Sequence, residues 1–248
     1  MLHENPALRA AVDELVAANR ILANENVVDA FGHVSVRHPS DPAQFLLSRS
    51  RSPELVTSDD IMLYDLEGRP LHDDGRPSYI ERFIHAGIYT ARPDVFGVVH
   101  SHAEDVIPFG ITTEPLVPVF HGAASMGSRI ATWDIRERFG DRTNLLVSNM
   151  DHGHDLAKRL GAEHVVLMRG HGFAAAGHSL YEAVKIALYL PRNAKILTLA
   201  RAFRKDVVTL SEGEIDALSS IADDAAPSRR AWEYWCAKAG ITTKGVNR

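Results

Sequence analysis

The chain has 248 residues, of which 45% are hydrophobic and 24% are charged, so it can bury a sizeable core and is not a disordered protein. Its formal net charge is -5 and its lysines and arginines are scattered, which excludes a concentrated basic surface for nucleic acid or anionic lipid. No apolar run reaches the roughly 20 residues that span a bilayer, so we expect neither a nucleic-acid nor a membrane partner.

The organisation of the chain points to one catalytic domain with a C-terminal appendage. The sequence has a single cysteine, Cys236, and no basic segment followed by an apolar signal core at its N-terminus, which favours the cytoplasm. We expect a catalytic domain over residues 1–206 and a helical extension over 207–248. Trp232 and Trp235, three apart on a predicted helix, would pack on that domain or on a neighbouring subunit.

The first third of the chain predicts a helix followed by short strands. Asn5-Pro6 indicates a helix start, because asparagine caps helices and proline fits their first turn. Residues 45–48 and 61–64 predict strands, and the turn after the second strand contains Gly68 where a positive φ suits glycine. Ser78 and Glu81 have the spacing of a capping box and predict a second helix that ends near Arg92.

Two nearly continuous apolar runs, residues 95–100 and 164–169, predict strands that are covered on both faces. Each run ends at a turn that contains histidine. Ser179 with Glu182 then forms a further capping-box pattern and opens a long helix, in which Pro191 predicts a kink.

Three histidines in these turns form a candidate metal site. His100 and His102 lie two apart on an extended segment, and alternate residues of a strand point to the same side. Taken alone, this pair is as consistent with two incidental histidines as with a site. His171 stands between Gly170 and Gly172, whose lack of side chains lets its imidazole approach a shared centre. Three neutral histidines leave coordination positions open, which favours a catalytic Zn²⁺ or a similar first-row ion over a closed structural site.

Glu81 has two interpretations that the sequence leaves open. Its position three residues after Ser78 could make it only the second half of a capping box. A carboxylate beside a metal ion could instead move protons to and from a substrate carbon. Both roles could also occur, in different states of the protein.

Four motifs follow one another along the chain: Gly32 to Arg37, Pro77-Ser78 with Glu81 and His85, Arg92 to Val95 leading to His100-Ser101-His102, and His171-Gly172. In this order they resemble the class II aldolase/adducin family, and the resemblance extends from the first helix to about Ala202. It implies a single three-layer α/β/α domain with a largely antiparallel central sheet. It also implies a homo-oligomer, usually a tetramer, with active sites at subunit interfaces.

The resemblance also assigns roles to individual residues. It implies that His100, His102 and His171 ligate one divalent transition metal ion per subunit and that Glu81 is the catalytic acid/base. Zn²⁺ or Mn²⁺ is the expected ion, and Fe²⁺ and Co²⁺ are alternatives, because histidine and oxygen ligands accept all four.

The chain departs from the sugar-phosphate aldolases of the family at two phosphate-binding turns. His33 stands where those enzymes have asparagine, and Arg49 stands where they have a small glycine that lets backbone amides approach phosphate. Arginine and imidazole suit a carboxylate or phenolic oxygen, so a small acidic substrate is expected. Alternatively, Arg49 or Arg51 only pairs with a surface acid, and His33 is only a turn residue. The residues expected to bind substrate are His33, Ser48, Arg49, Ser50, Ser78 and His121.

These replacements resemble the decarboxylase branch of the family, which acts on hydroxylated aromatic or pyridine dicarboxylates, among them dihydroxyphthalates, in aromatic compound degradation. We therefore expect a metal-dependent carbon–carbon lyase that decarboxylates such a compound. The alternative is a class II aldolase that cleaves an unphosphorylated hydroxy-acid or sugar-derived substrate. A non-catalytic adducin-like assembly module is a third possibility. His152, His154 and Arg51 have no assigned role.

Overall fold

The computed structural model describes residues 5–72 and 74–242, so the last six residues of the expected C-terminal extension lie outside the described part. Short 3-10 helices cover Pro53–Leu55, Ser58–Asp60 and His121–Met126. In chain order the other elements are α1 (Pro6–Asn24), β1 (His33–Arg37), β2 (Gln44–Ser48), β3 (Ile61–Asp65), α2 (Arg82–Ala91), β4 (Gly97–Ser101), α3 (Ile107–Gly110), β5 (Ala131–Trp133), α4 (Arg136–Phe139), α5 (Met150–Leu160), β6 (Val165–Met168), β7 (Gly172–Gly177), α6 (Leu180–Ala202), α7 (Glu212–Ser219) and α8 (Ala226–Lys238).

The strands form a seven-stranded sheet in the order β3-β2-β1-β4-β7-β6-β5. Every neighbouring pair is antiparallel except β5 and β6. In the centre of the sheet β4 pairs with β1, and His33 lies opposite His100 in the register. The other neighbour of β4 is β7, where Phe173 lies opposite Ser101. The sheet therefore brings three strand termini together at one end: the end of β4 with His100, the start of β1 with His33, and the start of β7.

Helices cover both faces of this sheet, because successive side chains of each strand enter different cores. Val99 packs into a cluster with residues of α1, α6 and α8. Its neighbour Val98 packs into a second cluster with residues of α2 and α5. The prediction of a three-layer α/β/α domain with a largely antiparallel sheet is confirmed.

The C-terminal helix α8 packs on the layer formed by α1 and α6. In α8, Trp235 is buried and stacks on Tyr181 of α6 with ring centroids 6.0 Å apart, while Cys236 is also buried. Among the helices that the structure describes, none combines the length and the apolar character needed to cross a bilayer.

The first helix begins as the sequence predicted, but the second does not. Asn5 caps α1 by accepting the backbone N–H of Ala7. The predicted capping box of Ser78 and Glu81 is wrong: α2 begins at Arg82 and Glu81 makes no side-chain capping bond. The Ser78 hydroxyl instead accepts a hydrogen bond of 2.9 Å from Tyr64. A tertiary partner therefore replaces the local one.

The predicted capping box at the start of α6 is half present. The Ser179 hydroxyl accepts the backbone N–H of Glu182, but the Glu182 carboxylate accepts the N–H of His178 rather than that of Ser179. The helix continues through Pro191 to Ala202.

Candidate active site

The three histidines singled out in the sequence converge at the edge where β4 ends and β7 begins. His100 Nε2 lies 3.0 Å from His102 Nε2, which lies 3.0 Å from His171 Nε2. The side chain of His100 is buried, that of His171 is 10% exposed and that of His102 is 24% exposed. The cluster therefore opens toward solvent on the His102 side.

The hydrogen bonds of the outer ring nitrogens leave the inner nitrogens available to bind a cation. His100 Nδ1 lies 3.0 Å from the Phe173 carbonyl, and His171 Nδ1 lies 3.1 Å from the Leu145 carbonyl. A carbonyl only accepts, so each Nδ1 donates and each Nε2 of the neutral ring carries a lone pair. A single N–H on His102 Nε2 can satisfy only one of these two lone pairs. The donor set thus fits a divalent ion, and carbonyl-oriented imidazoles are usual in metal sites.

Glu81 completes this cluster from the other side. Its Oε2 lies 3.5 Å from the Nε2 atoms of both His100 and His171, and its Oε1 accepts the backbone N–H of Val147 at 3.1 Å. Ligand atoms from the four side chains all lie within 4.8 Å of one another. Burial alone would raise the pKa of Glu81, but the positive charge that His100 and His171 carry when protonated, together with their hydrogen bonds, outweighs burial and holds this pKa well below its usual range. The carboxyl group is therefore ionised.

The segment between α4 and α5 orients two of these groups. Leu145 adopts a left-handed conformation with φ of 67°, which is rare for a bulky residue and is associated with functional sites. Its carbonyl receives the His171 Nδ1–H, and two residues later Val147 binds Glu81. The same short segment thus fixes a candidate ligand and the candidate acid/base.

Glycine allows the close backbone approach at this edge, as the sequence predicted. Gly170 has a φ of 64°, in the left-handed region that favours glycine. A Cβ atom on Gly172 would clash with the backbone oxygen of Ser101. On the other strand, the Ser101 hydroxyl binds the Val27 carbonyl at 2.5 Å and accepts the N–H of Ala103. These contacts fix the turn between His100 and His102.

His33 lies beside the cluster at the end of a buried hydrogen-bonded chain. Its ring centroid is 5.1 Å from that of His100, and its Nδ1 lies 2.7 Å from His85 Nε2. His85 Nδ1 lies 2.6 Å from the Ser35 hydroxyl, which lies 2.9 Å from the Tyr89 hydroxyl. His85 was expected only as part of a motif, and nothing in the sequence predicted this chain of contacts.

The electrostatic surroundings keep this chain neutral. Burial and then the adjacent His85 and His100 lower the pKa of His33 well below its usual value. Burial, followed by the charge of His100, lowers the pKa of His85 to about 3. Because Nδ1 of His33 is already bonded to His85, its Nε2 is the ring nitrogen left for a ligand.

Tyr79 connects His33 to the loop that carries the expected substrate residues. Its ring lies 4.6 Å from that of His33, its hydroxyl accepts a 3.2 Å hydrogen bond from Ser48, and it donates to the backbone carbonyl of Arg51. The backbone N–H of Ser50 binds the Pro77 carbonyl two residues before Tyr79. Tyr79 was not predicted from the sequence; its position directly after Ser78 was the only available signal.

Arg49 and Arg51 share a carboxylate, as one of the two sequence interpretations expected, although that carboxylate is buried. Arg49 Nε lies 2.6 Å from Asp60 Oδ1, and Arg51 approaches the same oxygen at 3.4 Å. Burial would raise the pKa of Asp60, but hydrogen bonds from Arg49 and Thr57 outweigh it and lower the pKa. Asp60 therefore holds the Arg49 side chain in place.

His121, His152 and His154 make no hydrogen bond or ring contact with the three-histidine cluster in the part of the chain that the structure describes. His121 is exposed at the start of a 3-10 helix, with its ring 6.0 Å from that of Phe120. His152 binds the Leu146 carbonyl at 3.2 Å, and His154 is exposed on α5.

Comparison with known proteins agrees with the fold. A family model described as the Class II Aldolase and Adducin N-terminal domain matches residues 13–198. Decarboxylase tropJ of Talaromyces stipitatus is 35% identical over 246 residues, covering 90% of this chain and 92% of that protein. The 3,4-dihydroxyphthalate decarboxylase of Arthrobacter keyseri is 27% identical over 248 residues, covering 94% and 96%.

Among solved structures, the L-fuculose 1-phosphate aldolase of Glaciozyma antarctica shares the fold with a TM-score of 0.72. It is 22% identical in sequence, and the match covers 94% of this chain and 92% of that one. The family match spans most of the chain, and its relatives are similar over nearly their whole length. The chain belongs to the class II aldolase and adducin family.

Proposed function

We propose that the protein is a metal-dependent carbon–carbon lyase that decarboxylates a hydroxylated aromatic or pyridine dicarboxylate. The convergence of His100, His102, His171 and Glu81 within 4.8 Å is the observation that carries the proposal. Similar proteins named as decarboxylases support the reaction type. The replacement of phosphate-binding positions by His33 and Arg49 supports an acidic substrate.

In this proposal the three histidines hold the ion and Glu81 remains available for proton transfer. His100, His102 and His171 would bind Zn²⁺ or Mn²⁺, with Fe²⁺ and Co²⁺ as alternatives. When bound, such an ion acts as a Lewis acid that stabilises negative charge on a substrate oxygen. The exposed His102 side of the cluster would give the substrate access.

Glu81 is suited to carry the proton that decarboxylation requires. When the bond from the ring to the carboxyl carbon breaks, its electron pair stays on the ring carbon, and a proton must replace the lost CO₂. Glu81 is ionised at rest, so it can accept the proton of the substrate hydroxyl and return it to that carbon. The Val147 N–H holds the other carboxylate oxygen and so limits rotation of the group.

His33 and Arg49 would orient the anionic edge of the substrate. His33 is neutral and offers Nε2, because its other nitrogen is bound to His85. Arg49 is held by Asp60 through Nε, and a guanidinium fork presents further N–H groups to a carboxylate. Three serines lie near His33 through contacts around Tyr79. Ser48 donates to the Tyr79 hydroxyl, Ser50 binds the Pro77 carbonyl, and Ser78 directly precedes Tyr79. We also propose His121 as a substrate-binding residue, which would contact a substrate that extends toward it or a site completed by a second subunit.

An assay of product class tests this function. Metal-loaded protein is incubated with hydroxylated aromatic and pyridine dicarboxylates and, in parallel, with unphosphorylated hydroxy-ketoacids, and CO₂ is measured separately from aldehyde and pyruvate. CO₂ release from a dicarboxylate is the expected result. Release of aldehyde or pyruvate without CO₂ would establish the class II aldolase alternative, which the structural similarity to L-fuculose 1-phosphate aldolase favours. Purified protein without metal and without either activity would indicate the adducin-like assembly role.

We further propose that the protein acts in the cytoplasm as a homo-oligomer, with a tetramer that places its active sites at subunit interfaces. The support lies at the rim of the site, where the Phe31 side chain is 68% exposed only two residues before His33. Burial of this apolar ring in a subunit contact would remove it from water, which is favourable. We also retain residues 1–206 as the catalytic domain and 207–248 as a helical extension. Light scattering of wild-type protein and of Phe31→Asp measures whether the assembly depends on this ring.

A further inference from the structure

A second group of metal-ligating side chains lies at the opposite end of the β6–β7 hairpin from His171. His164 directly precedes β6, His178 directly follows β7, and Glu182 lies in the first turn of α6. One ligand atom from each residue lies within 4.8 Å of the others. At about 3.3 Å per strand residue, the length of β7 separates this group from His171 by about 20 Å. It is therefore distinct from the candidate active site.

Backbone carbonyls fix the orientation of both imidazoles. His164 Nδ1 lies 3.1 Å from the Ala176 carbonyl, and His178 Nδ1 lies 3.1 Å from the Asp94 carbonyl. Each Nδ1 therefore donates, and each Nε2 carries the lone pair that a metal ion requires. The two rings lie 5.4 Å apart with an interplanar angle of 84°. Metal-binding histidines typically donate their second nitrogen to a carbonyl in this way.

The carboxylate is also fixed by the fold. Glu182 Oε2 accepts the backbone N–H of His178 at 2.6 Å, which leaves Oε1 for a ligand. Asp94 Oδ2 lies 3.5 Å from His178 Nδ1, but its charge is already paired with Arg92 at 2.7 Å. Asp94 therefore orients the His178 ring, and Glu182 is the anionic ligand of the group.

The backbone around this group is closely packed. A Cβ atom on Gly97 would lie 2.7 Å from the Ser179 carbonyl, and one on Gly177 would lie 2.5 Å from the backbone nitrogen of Ala183. Only glycine permits this approach, which brings the first turn of α6 against the ends of β4 and β7. The three side chains thus come from segments that the sheet and α6 hold in place.

We propose that His164, His178 and Glu182 form a second divalent-metal site, which takes a Zn²⁺-class ion and leaves the remaining positions to water. Two imidazole nitrogens and one carboxylate oxygen are a donor set that such ions accept. An ion at this position links the start of β6, the end of β7 and the first turn of α6. Its role is to stabilise the packing of α6 on the sheet, away from the reaction.

Zinc stoichiometry of the full chain tests this site. Equilibrium dialysis against Zn²⁺ should give two ions per wild-type chain, one for His178→Ala and one for His102→Ala, which lacks only the first site. The double variant should bind none. The matched control is His154→Ala, an exposed histidine outside both groups, and it should retain two ions. Equal stoichiometry in His178→Ala and His154→Ala would overturn the proposal, whether the wild type binds one ion or two.

A second measurement covers the case in which a variant folds poorly. Glu182→Gln keeps an oxygen for the His178 N–H but loses the charge, and it should weaken Zn²⁺ binding at this site by at least the about 10–100-fold typical of outer-shell substitutions. In the His102→Ala background, Zn²⁺ at about 100 times its Kd should raise Tm by about 5–10 °C. Absence of this rise in a folded His102→Ala protein, with no difference on adding Glu182→Gln, would also overturn the proposal.

Discussion

Replacing Glu81 with glutamine removes one negative charge from the candidate active site and changes little else. The side chain is buried, and an amide oxygen can still accept the Val147 N–H that now binds Oε1. The substitution therefore keeps the shape of the site. What it removes is the carboxylate oxygen that lies 3.5 Å from both His100 and His171 and that would carry the proton.

The expected loss follows from that proton-transfer role. General acid/base catalysis contributes typically about 10²–10⁴-fold to a rate, which corresponds to about 2.7–5.4 kcal/mol of activation free energy. We expect kcat for CO₂ release to fall by this factor, while the three histidines retain the ion. Because Glu81 makes no capping bond to α2, the loss should not come from unfolding of that helix.

The assay combines turnover, metal content and thermal melting for Glu81→Gln and for a control, Glu67→Gln, at an exposed turn position. The control should match the wild type in all three measurements. Wild-type kcat in Glu81→Gln would refute the proton-transfer role. Loss of metal in step with activity would instead make Glu81 a ligand, and the reasoning would also be wrong.

Three further predictions concern the same site. His102→Ala should lose the ion of the three-histidine cluster, measured by elemental analysis, and all measurable turnover. Chelation of that ion from the wild type should lower the free energy of unfolding by about 2.7 kcal/mol relative to protein in the presence of the ion at 100 times its Kd, measured by thermal melting. Arg49→Leu should raise KM for an acidic substrate by about 10–150-fold, equivalent to about 1.5–3 kcal/mol for a charged hydrogen bond. The comparison is Asp60→Asn, which removes the charge of the carboxylate that holds Arg49. An unchanged KM in Arg49→Leu would show that Arg49 does not bind the substrate. Burial in the folded protein lowers the pKa of His85 from 6.5 to about 3. Between these two pH values the unfolded chain therefore binds a proton at His85 that the folded chain does not bind. In chelator-treated protein the unfolding free energy should therefore drop by about 1.4 kcal/mol per pH unit as pH falls from 6.5 toward 3, and urea titrations of His85→Gln should show a shallower slope than the wild type.

The sequence predicted those features that depend on periodicity along one segment. Alternation along an extended strand brought His100 and His102 to the same side, and the bond of 3.0 Å between their Nε2 atoms confirms this geometry. The three-layer fold was implied by the family resemblance and is confirmed by the two cores. The capping box of Ser78 and Glu81 was wrong because the pattern describes only local partners. Tyr64 binds one of these side chains, and Val147 and the histidines bind the other.

The contacts that the sequence did not predict all join segments that are far apart in the chain. Tyr79 lies against His33, and His85 binds Ser35 50 residues away. The left-handed Leu145 has no signal at all, because residues with long apolar side chains rarely adopt that conformation. Only the assembled fold shows that these residues surround the same centre.

The position of Glu81 depends on the packing of two helices that are far apart in the sequence. Glu81 directly precedes α2, and Val147, which binds it, lies three residues before α5. The two helices pack closely, because a Cβ atom on Gly87 would clash with the backbone of Gly153 and one on Gly153 would clash with the Phe83 carbonyl. Neither glycine belongs to a motif of the active site. Their small size nevertheless sets the distance between the two helices, and so brings the carboxylate within reach of the three imidazoles.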